Sequence, residues 1–315
     1  MSIAIEPTTQ PLALRGLLRS PQVGLAAATL LWSGNFVVGR TLRGQMDPLE
    51  LNFWRWLLAL AVLLPFTAAG LVAQWPLLRR HVGFVLLLAL SGVAIPHTCI
   101  YTALQTTSAL NALLLLNLAP LLIALGARLW FGAPMHRSYW FGMVLSIAGA
   151  LTLLVRGRPE VVLSLNLGRG DLWMLPAVLA VAAQALLLKR TPPGITQGPL
   201  LSASVVAALL LMMPLLWQAN LSVPSGGQML ASLAYIGIFA SALAFWLWNR
   251  AVARVGPGRA APYLYLMPLY GSLLSFVALG ESVQGYQLAG GGLVLLGLWV
   301  ARPRSVLLTN LTTET

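Results

Sequence analysis

Apolar residues in this chain fall in long blocks, and short clusters of charge, Pro and Gly separate them. A bilayer crossing needs about 17–25 predominantly apolar residues. Cutting the blocks at their polar punctuation gives ten of that length, at 22–40, 48–70, 82–104, 107–129, 138–156, 171–189, 198–217, 229–250, 259–280 and 284–301. The pattern therefore predicts an all-α membrane protein with ten transmembrane helices.

Composition agrees with that reading. The 315 residues are 58% hydrophobic and 8% charged, against roughly 45–50% and about 25% in soluble domains. Mean hydropathy is +0.83. A soluble enzyme, a nucleic-acid binder, a disulfide scaffold and a disordered chain are all excluded. The single cysteine, Cys99, can form no intrachain bridge.

The net charge of +12 changes the picture only through its placement. With the N-terminus inside, thirteen of the nineteen Lys and Arg fall in inside loops or tails, among them Arg15, Arg19, Arg79, Arg80, Lys189 and Arg190. Five fall outside (Arg40, Arg43, Arg156, Arg158 and Arg169), and Arg55 lies within the second span. The positive-inside rule then puts both termini in the cytoplasm, as an N-terminal segment 1–21 and a tail 302–315. The first span is too long for a removable signal peptide and lacks a small-residue cleavage site. Trp75, Trp130, Trp140, Trp173, Trp217 and Trp299 sit near span ends, where interfacial belts form.

The ten spans divide into two sets of five. A shift of 148 residues brings Ala103 onto Ala251, Ala112 onto Ala260, Pro120 onto Pro268, Gly132 onto Gly280, Gly142 onto Gly290 and Gly149 onto Gly297. Shared Pro and Gly positions carry weight because each has a backbone reason. The repeats are 22–156 and 171–301, joined by a periplasmic linker 157–170. An odd number of spans per repeat inverts one half relative to the other. Inverted repeats are a recurrent device of secondary transporters, with substrate held near the midplane between them.

The segments LLWSGNFVVGR (30–40), NFWRWLLALAVLLP (52–65) and ALQTTSALNALLLLNLAPLLIAL (103–125) resemble the drug/metabolite transporter superfamily. So do AVARVGPGRAAPYLYLMPLYGSLLS (251–275) and LGESVQGYQLAGGGLVLLG (279–297). The chain looks like a ten-helix member with two EamA-type repeats, similar in particular to the YddG-type aromatic amino acid exporters of bacterial inner membranes. One departure is Gly132-Ala133 in the first repeat where the second has Gly280-Glu281. The resemblance implies one central cavity lined by spans one, three, four, six, eight and nine, with five and ten outside.

Polar groups at lipid depth are costly and usually face a cavity or another helix. His97, Tyr101 and Gln105 recur at i, i+4 and i+8 and share one face of span three. Trp32 and Asn35 lie near the middle of span one, where an indole can stack on an aromatic substrate and an amide can bind its polar end. Gln184 in span six faces the cavity or a neighbouring helix. In span nine Tyr263, Met267 and Tyr270 form one stripe, with Tyr265 pointing elsewhere; Asn117 in span four matches Tyr265 across the repeat. The candidate substrate-binding residues are thus Trp32, Asn35, His97, Tyr101, Asn117, Gln184, Tyr263 and Tyr265. Arg55 lies near the outer end of span two, where snorkelling toward Glu50 or Asp47 is the cheaper arrangement; the resemblance implies a structural role, and contact with a substrate carboxylate is the alternative. Small residues at Gly142, Ser146 and Ala150, and at Gly285 and Ala289, allow close helix packing within the chain. Pro120 and Pro268 are symmetry-related helix breakers and candidate hinges.

No Walker, HExxH or GxSxG motif is present, and no His/Asp/Glu cluster. The expectation is a secondary transporter without metal or cofactor, acting as a monomer in the inner membrane, with no nucleic-acid partner. It exports amino acids, aromatic ones foremost, by alternating access. The alternatives are export of a nucleotide sugar or drug, or a non-transporting intramembrane enzyme or scaffold.

Overall fold

A computed structural model describes residues 20–42, 44–107, 109–158, 160–163, 168–217, 222–279 and 284–302. Most of the expected cytoplasmic segment 1–21 and tail 302–315, together with Arg15, Arg19, Arg43, Gly280, Glu281 and Arg304, lie outside the described residues.

The described chain is helical throughout. Its main helices are α1 (Pro21–Thr41), α2 (Pro48–Arg80), α3 (Val82–Thr106), α4 (Ala109–Leu116), α5 (Ala119–Phe131), α6 (Arg137–Leu154), α7 (Arg169–Leu188), α8 (Gln197–Trp217), α9 (Gly227–Val255), α10 (Leu266–Leu279) and α11 (Gly285–Val300). Seven helical stretches are long and apolar enough to cross a bilayer, α4 and α5 together forming one of them; α11 is a shorter apolar helix. This is a multi-pass membrane protein. It is dressed accordingly, since Phe66, Leu129, Leu179 and Trp217 are exposed while Thr29, Asn52, Arg55 and Ser202 are buried.

Local sequence explains most boundaries. α2 starts where the Asp47 carboxylate accepts the Leu49 N–H at 2.8 Å, with Pro48 in the first turn. It ends on Arg79 and Arg80, the favourable charge for a helix C-terminus. It runs ten residues past the expected end at 70, because LVAQWPLLRR carries no stop signal and Pro76 is accommodated within the helix.

The helices between the ends are not uniform. α3 widens to a π turn over Ala89–Ala94, just before Pro96, whose missing N–H removes a ladder bond there. α9 widens likewise over Tyr235–Leu243, where the Ser241 hydroxyl donates to the Ile236 carbonyl at 2.7 Å. Span four breaks at Asn117–Leu118, between α4 and α5. Span nine enters through a turn Pro257–Ala260 and a 3-10 segment Ala261–Tyr265 before α10.

Packing is mostly between the two halves. α1 packs on α9 and α10, while α7 packs on α3 and α5. α2 lies along α8, and α6 along α11. The last pair is the closest. A Cβ placed on Gly142 would lie 2.5 Å from the Gly297 carbonyl oxygen, and one on Gly149 would lie 2.5 Å from that of Gly290. The register is antiparallel, and the small-residue face of α11 is Gly290, Val294 and Gly297. The sequence pattern had pointed to Gly285 and Ala289; both are exposed, and a Cβ on Gly285 meets nothing.

Candidate functional site

The helical irregularities gather around one cavity of about 100 Å³. Its walls come from α1, α3, the α4–α5 break, α7, α9 and the entry to α10. Of the expected substrate-binding residues, Trp32, Asn35, His97, Tyr101, Asn117 and Gln184 line it, as do Pro120 and Pro268. Tyr263 and Tyr265 do not. The 3-10 segment turns more tightly than an α-helix, so the wall there is Leu264, Met267 and Pro268. Tyr265 is wholly buried, its hydroxyl donating to the Asn117 carbonyl at 3.3 Å, and Tyr263 is half-buried in apolar packing.

One wall is aromatic. The Trp32 indole lies 5.2 Å from both Phe245 and Trp248, and its Nε1 donates to the Ala240 carbonyl at 3.0 Å. That carbonyl lies within the π turn of α9, whose altered ladder makes it accessible to a side chain. Phe245 also meets Trp56 at 4.9 Å and His97 at 5.7 Å, edge to face. Trp32 is therefore not alone at mid-depth; Trp56 and Trp248 are buried there too. The run FWLWN (245–249) carried the signal, since Phe245, Trp248 and Asn249 recur at helical spacing and share one face.

The polar groups are held individually. Gln184 Nε2 donates to Asn249 Oδ1 at 3.2 Å, and its side chain covers Gly92, where an added Cβ would meet Gln184 Cγ at 3.0 Å. Asn117 Nδ2 donates to the Leu113 carbonyl at 2.7 Å, satisfying an acceptor near the helix break. Asn35 differs, because its buried Oδ1 accepts no hydrogen bond.

Arg55 does not snorkel. It is wholly buried, its Nε donating to Ser241 Oγ at 2.7 Å and its Nη1 to the Tyr101 hydroxyl at 2.7 Å. The guanidinium also lies over the Trp56 and Tyr101 rings. Glu50, the expected counter-charge, instead accepts the Ser222 N–H at 3.1 Å and the Ser222 hydroxyl. Tyr101 faces two spaces at once, the central cavity and a smaller one that Gln105, Leu42 and Met46 help to line.

No group of three His, Cys, Asp or Glu able to hold a metal occurs among the described residues. The arrangement is a mostly apolar chamber inside a bundle of membrane helices, with an aromatic wall of edge-to-face rings and a few placed polar atoms. That is the construction of a small-molecule site in a membrane transport protein.

Comparison with known proteins gives the family. The model of the EamA-like transporter family matches twice, over residues 21–155 and 168–302, and the chain belongs to that family. An "Uncharacterized transporter" of Archaeoglobus fulgidus is 27% identical over 88% of this chain and 95% of its own. A "Probable biotin transporter" of Pseudomonas aeruginosa is 28% identical over 88% and 96%. A "Probable amino-acid metabolite efflux pump" of Salmonella typhimurium is 26% identical over 86% and 91%. A solved crystal structure aligns with a TM-score of 0.71 at 21% identity, over 89% of this chain and 96% of that one, and shares the fold.

Proposed function

We propose that the protein is an inner-membrane exporter of amino acids, aromatic ones foremost, working by alternating access between two inverted five-helix repeats of ten crossings in all. The observation that carries the substrate class is the cavity itself. A cluster of Trp32, Phe245 and Trp248, with rings tilted or edge-on to one another, suits the edge-to-face contacts of an aromatic ring, and the polar side chains of Asn35, His97, Tyr101 and Gln184 around the same space suit the charged ends of a zwitterion. The relative named for amino-acid metabolite efflux supports the same class.

The repeat reading has its own support. Under the shift of 148 residues, Gly142 becomes Gly290 and Gly149 becomes Gly297. The two close approaches, Gly142 on Gly297 and Gly149 on Gly290, are then exchanged with one another, as a two-fold axis requires. Tyr265 donates to Asn117, its own equivalent under that shift. The domains are 22–156 and 171–301, both termini face the cytoplasm, and Pro120 and Pro268 serve as hinges. One chain contains the whole site and functions as a monomer.

Counterflow of labelled phenylalanine into liposomes holding the purified protein tests this. Uptake above protein-free liposomes, competed by tryptophan and tyrosine, is expected. Absence of counterflow across a full amino acid panel would sink the substrate class, and a parallel panel with biotin and nucleotide sugars would locate the alternative.

A further inference from the structure

Arg55 is a buried cation for which no carboxylate is at hand among the described residues. The other buried charges are engaged elsewhere, Glu50 by Ser222, and Asp171 by the Thr107 hydroxyl and the Gly168 N–H. Two of the guanidinium nitrogens are bonded, to Ser241 and Tyr101, and Nη2 has no partner. An ionisable group held this way at membrane depth is expensive and has a functional reason by default.

The direction of the Arg55–Tyr101 bond matters. Arginine has no acceptor, so the phenol oxygen accepts and the phenol proton must point elsewhere. Among the described residues Tyr101 donates to nothing, and its ring forms part of the cavity wall. A hydroxyl that accepts from a cation is a stronger donor in turn, since bonds along such a chain polarise one another. Across the same space Asn35 presents a buried Oδ1 with no donor. The cavity thus offers a reinforced donor at Tyr101 and bare buried atoms at Asn35 Oδ1 and His97 Nδ1, of which the Asn35 amide oxygen can only accept.

We propose that Tyr101, with Arg55 behind it, is the carboxylate subsite of the cavity, and that Asn35 Oδ1 takes the ammonium group. The site would then select amphiphiles with a free carboxylate over their amides and amines. Tyr101 touches the ligand, whereas Arg55 is a positioning residue that acts through it. The assignment rests on reading the cavity as the substrate site and specifies which end of the substrate lies where.

The test compares 3-phenylpropionate with 3-phenylpropanamide by titration calorimetry on the detergent-purified full chain. The carboxylate should bind the wild type at least about tenfold tighter than the amide, as a hydrogen bond to a charged group warrants. Tyr101→Phe should remove about tenfold for the carboxylate and leave the amide within about twofold. Arg55→Lys, which keeps the charge, should retain part of the preference, and Arg55→Gln should lose it. Because Arg55→Gln removes a buried contact and can fail to fold, the wild-type pair and Tyr101→Phe decide the matter alone. Equal affinity for the two ligands, no carboxylate binding at millimolar concentration, or an equal loss for both in Tyr101→Phe overturns the proposal. Asn35→Leu should weaken phenethylammonium and leave 3-phenylpropionate unchanged; the reverse overturns the ammonium assignment. Failure of phenylalanine counterflow with the carboxylate preference intact would sink the amino acid reading alone. Equal transport of phenylalanine and phenylalaninamide would sink this one alone.

Discussion

The seam between α6 and α11 and the walls of the central cavity solve opposite problems with the same helical material. At the seam two regular helices touch backbone to backbone, and Gly142, Gly149, Gly290 and Gly297 leave no room for a side chain. Around the cavity, α3 and α9 each contain a π turn, span four breaks between α4 and α5, and α10 is entered through a 3-10 segment, while α1 is regular. The irregular turns leave carbonyls that side chains can reach, as Trp32 reaches Ala240 and Tyr265 reaches Asn117. Lipid offers no hydrophobic drive for helix association, so close van der Waals contact has to hold a seam. Non-helical backbone is tolerated at membrane depth only where protein or a cavity receives its polar groups. A fixed edge and a workable centre follow from where glycine and proline fall.

The largest effect should come from filling the seam. Gly149→Leu places a side chain against the backbone of Gly290 and Val294, which cannot rotate aside. Overpacking typically costs about 1–3 kcal/mol and more where the neighbour is rigid. We expect loss of monodisperse protein in size-exclusion chromatography, or a fall of many degrees in melting temperature. Gly292→Leu on the same helix meets nothing within 4 Å and should leave both measurements near wild type. Equal behaviour of the two variants would mean that the seam is not a constraint.

A smaller effect, confined to function, is expected at the cavity wall. Trp32→Ala removes one face of the aromatic wall together with the bond to Ala240. An aromatic pair contributes about 0.5–1.5 kcal/mol beyond area burial. Phenylalanine counterflow should therefore fall about two- to tenfold more than alanine counterflow. Equal losses for both would assign Trp32 to packing alone.

The contrast between edge and centre was only partly legible in the sequence. Helical membrane character followed from apolar blocks alone, and Trp32, Asn35 and His97 stood out as polar or aromatic groups at mid-depth. What pattern could not supply was backbone detail. A 3.6-residue period assigns Tyr263 to the wall, but the 3-10 turn at Ala261–Tyr265 hands that place to Leu264. The cost of burying a charge argues for a snorkelling Arg55; the compensation comes from Ser241 and Tyr101, on other helices. Such compensation is a tertiary fact and leaves no local trace. Phe245 and Trp248 were visible in FWLWN, but they gain meaning only beside Trp32.

The finest test concerns whether the centre moves as the edge stays still. Pro120 and Pro268 line the cavity at positions equivalent under the 148-residue shift. Lacking an N–H, each leaves without its helical donor the carbonyl four residues earlier, at Leu116 and Leu264, which are themselves wall residues. A bend centred there changes the cavity's shape. Replacing both prolines by alanine restores two ladder bonds and should straighten both helices. The expected result is a few-fold slower turnover with substrate affinity and melting temperature close to wild type, because hinge changes act on the rate of exchange between states. Single replacements should each give an intermediate rate if both gates use the same device. Unchanged turnover in the double variant would remove the prolines from the transport cycle and leave them as architects of the cavity's outline.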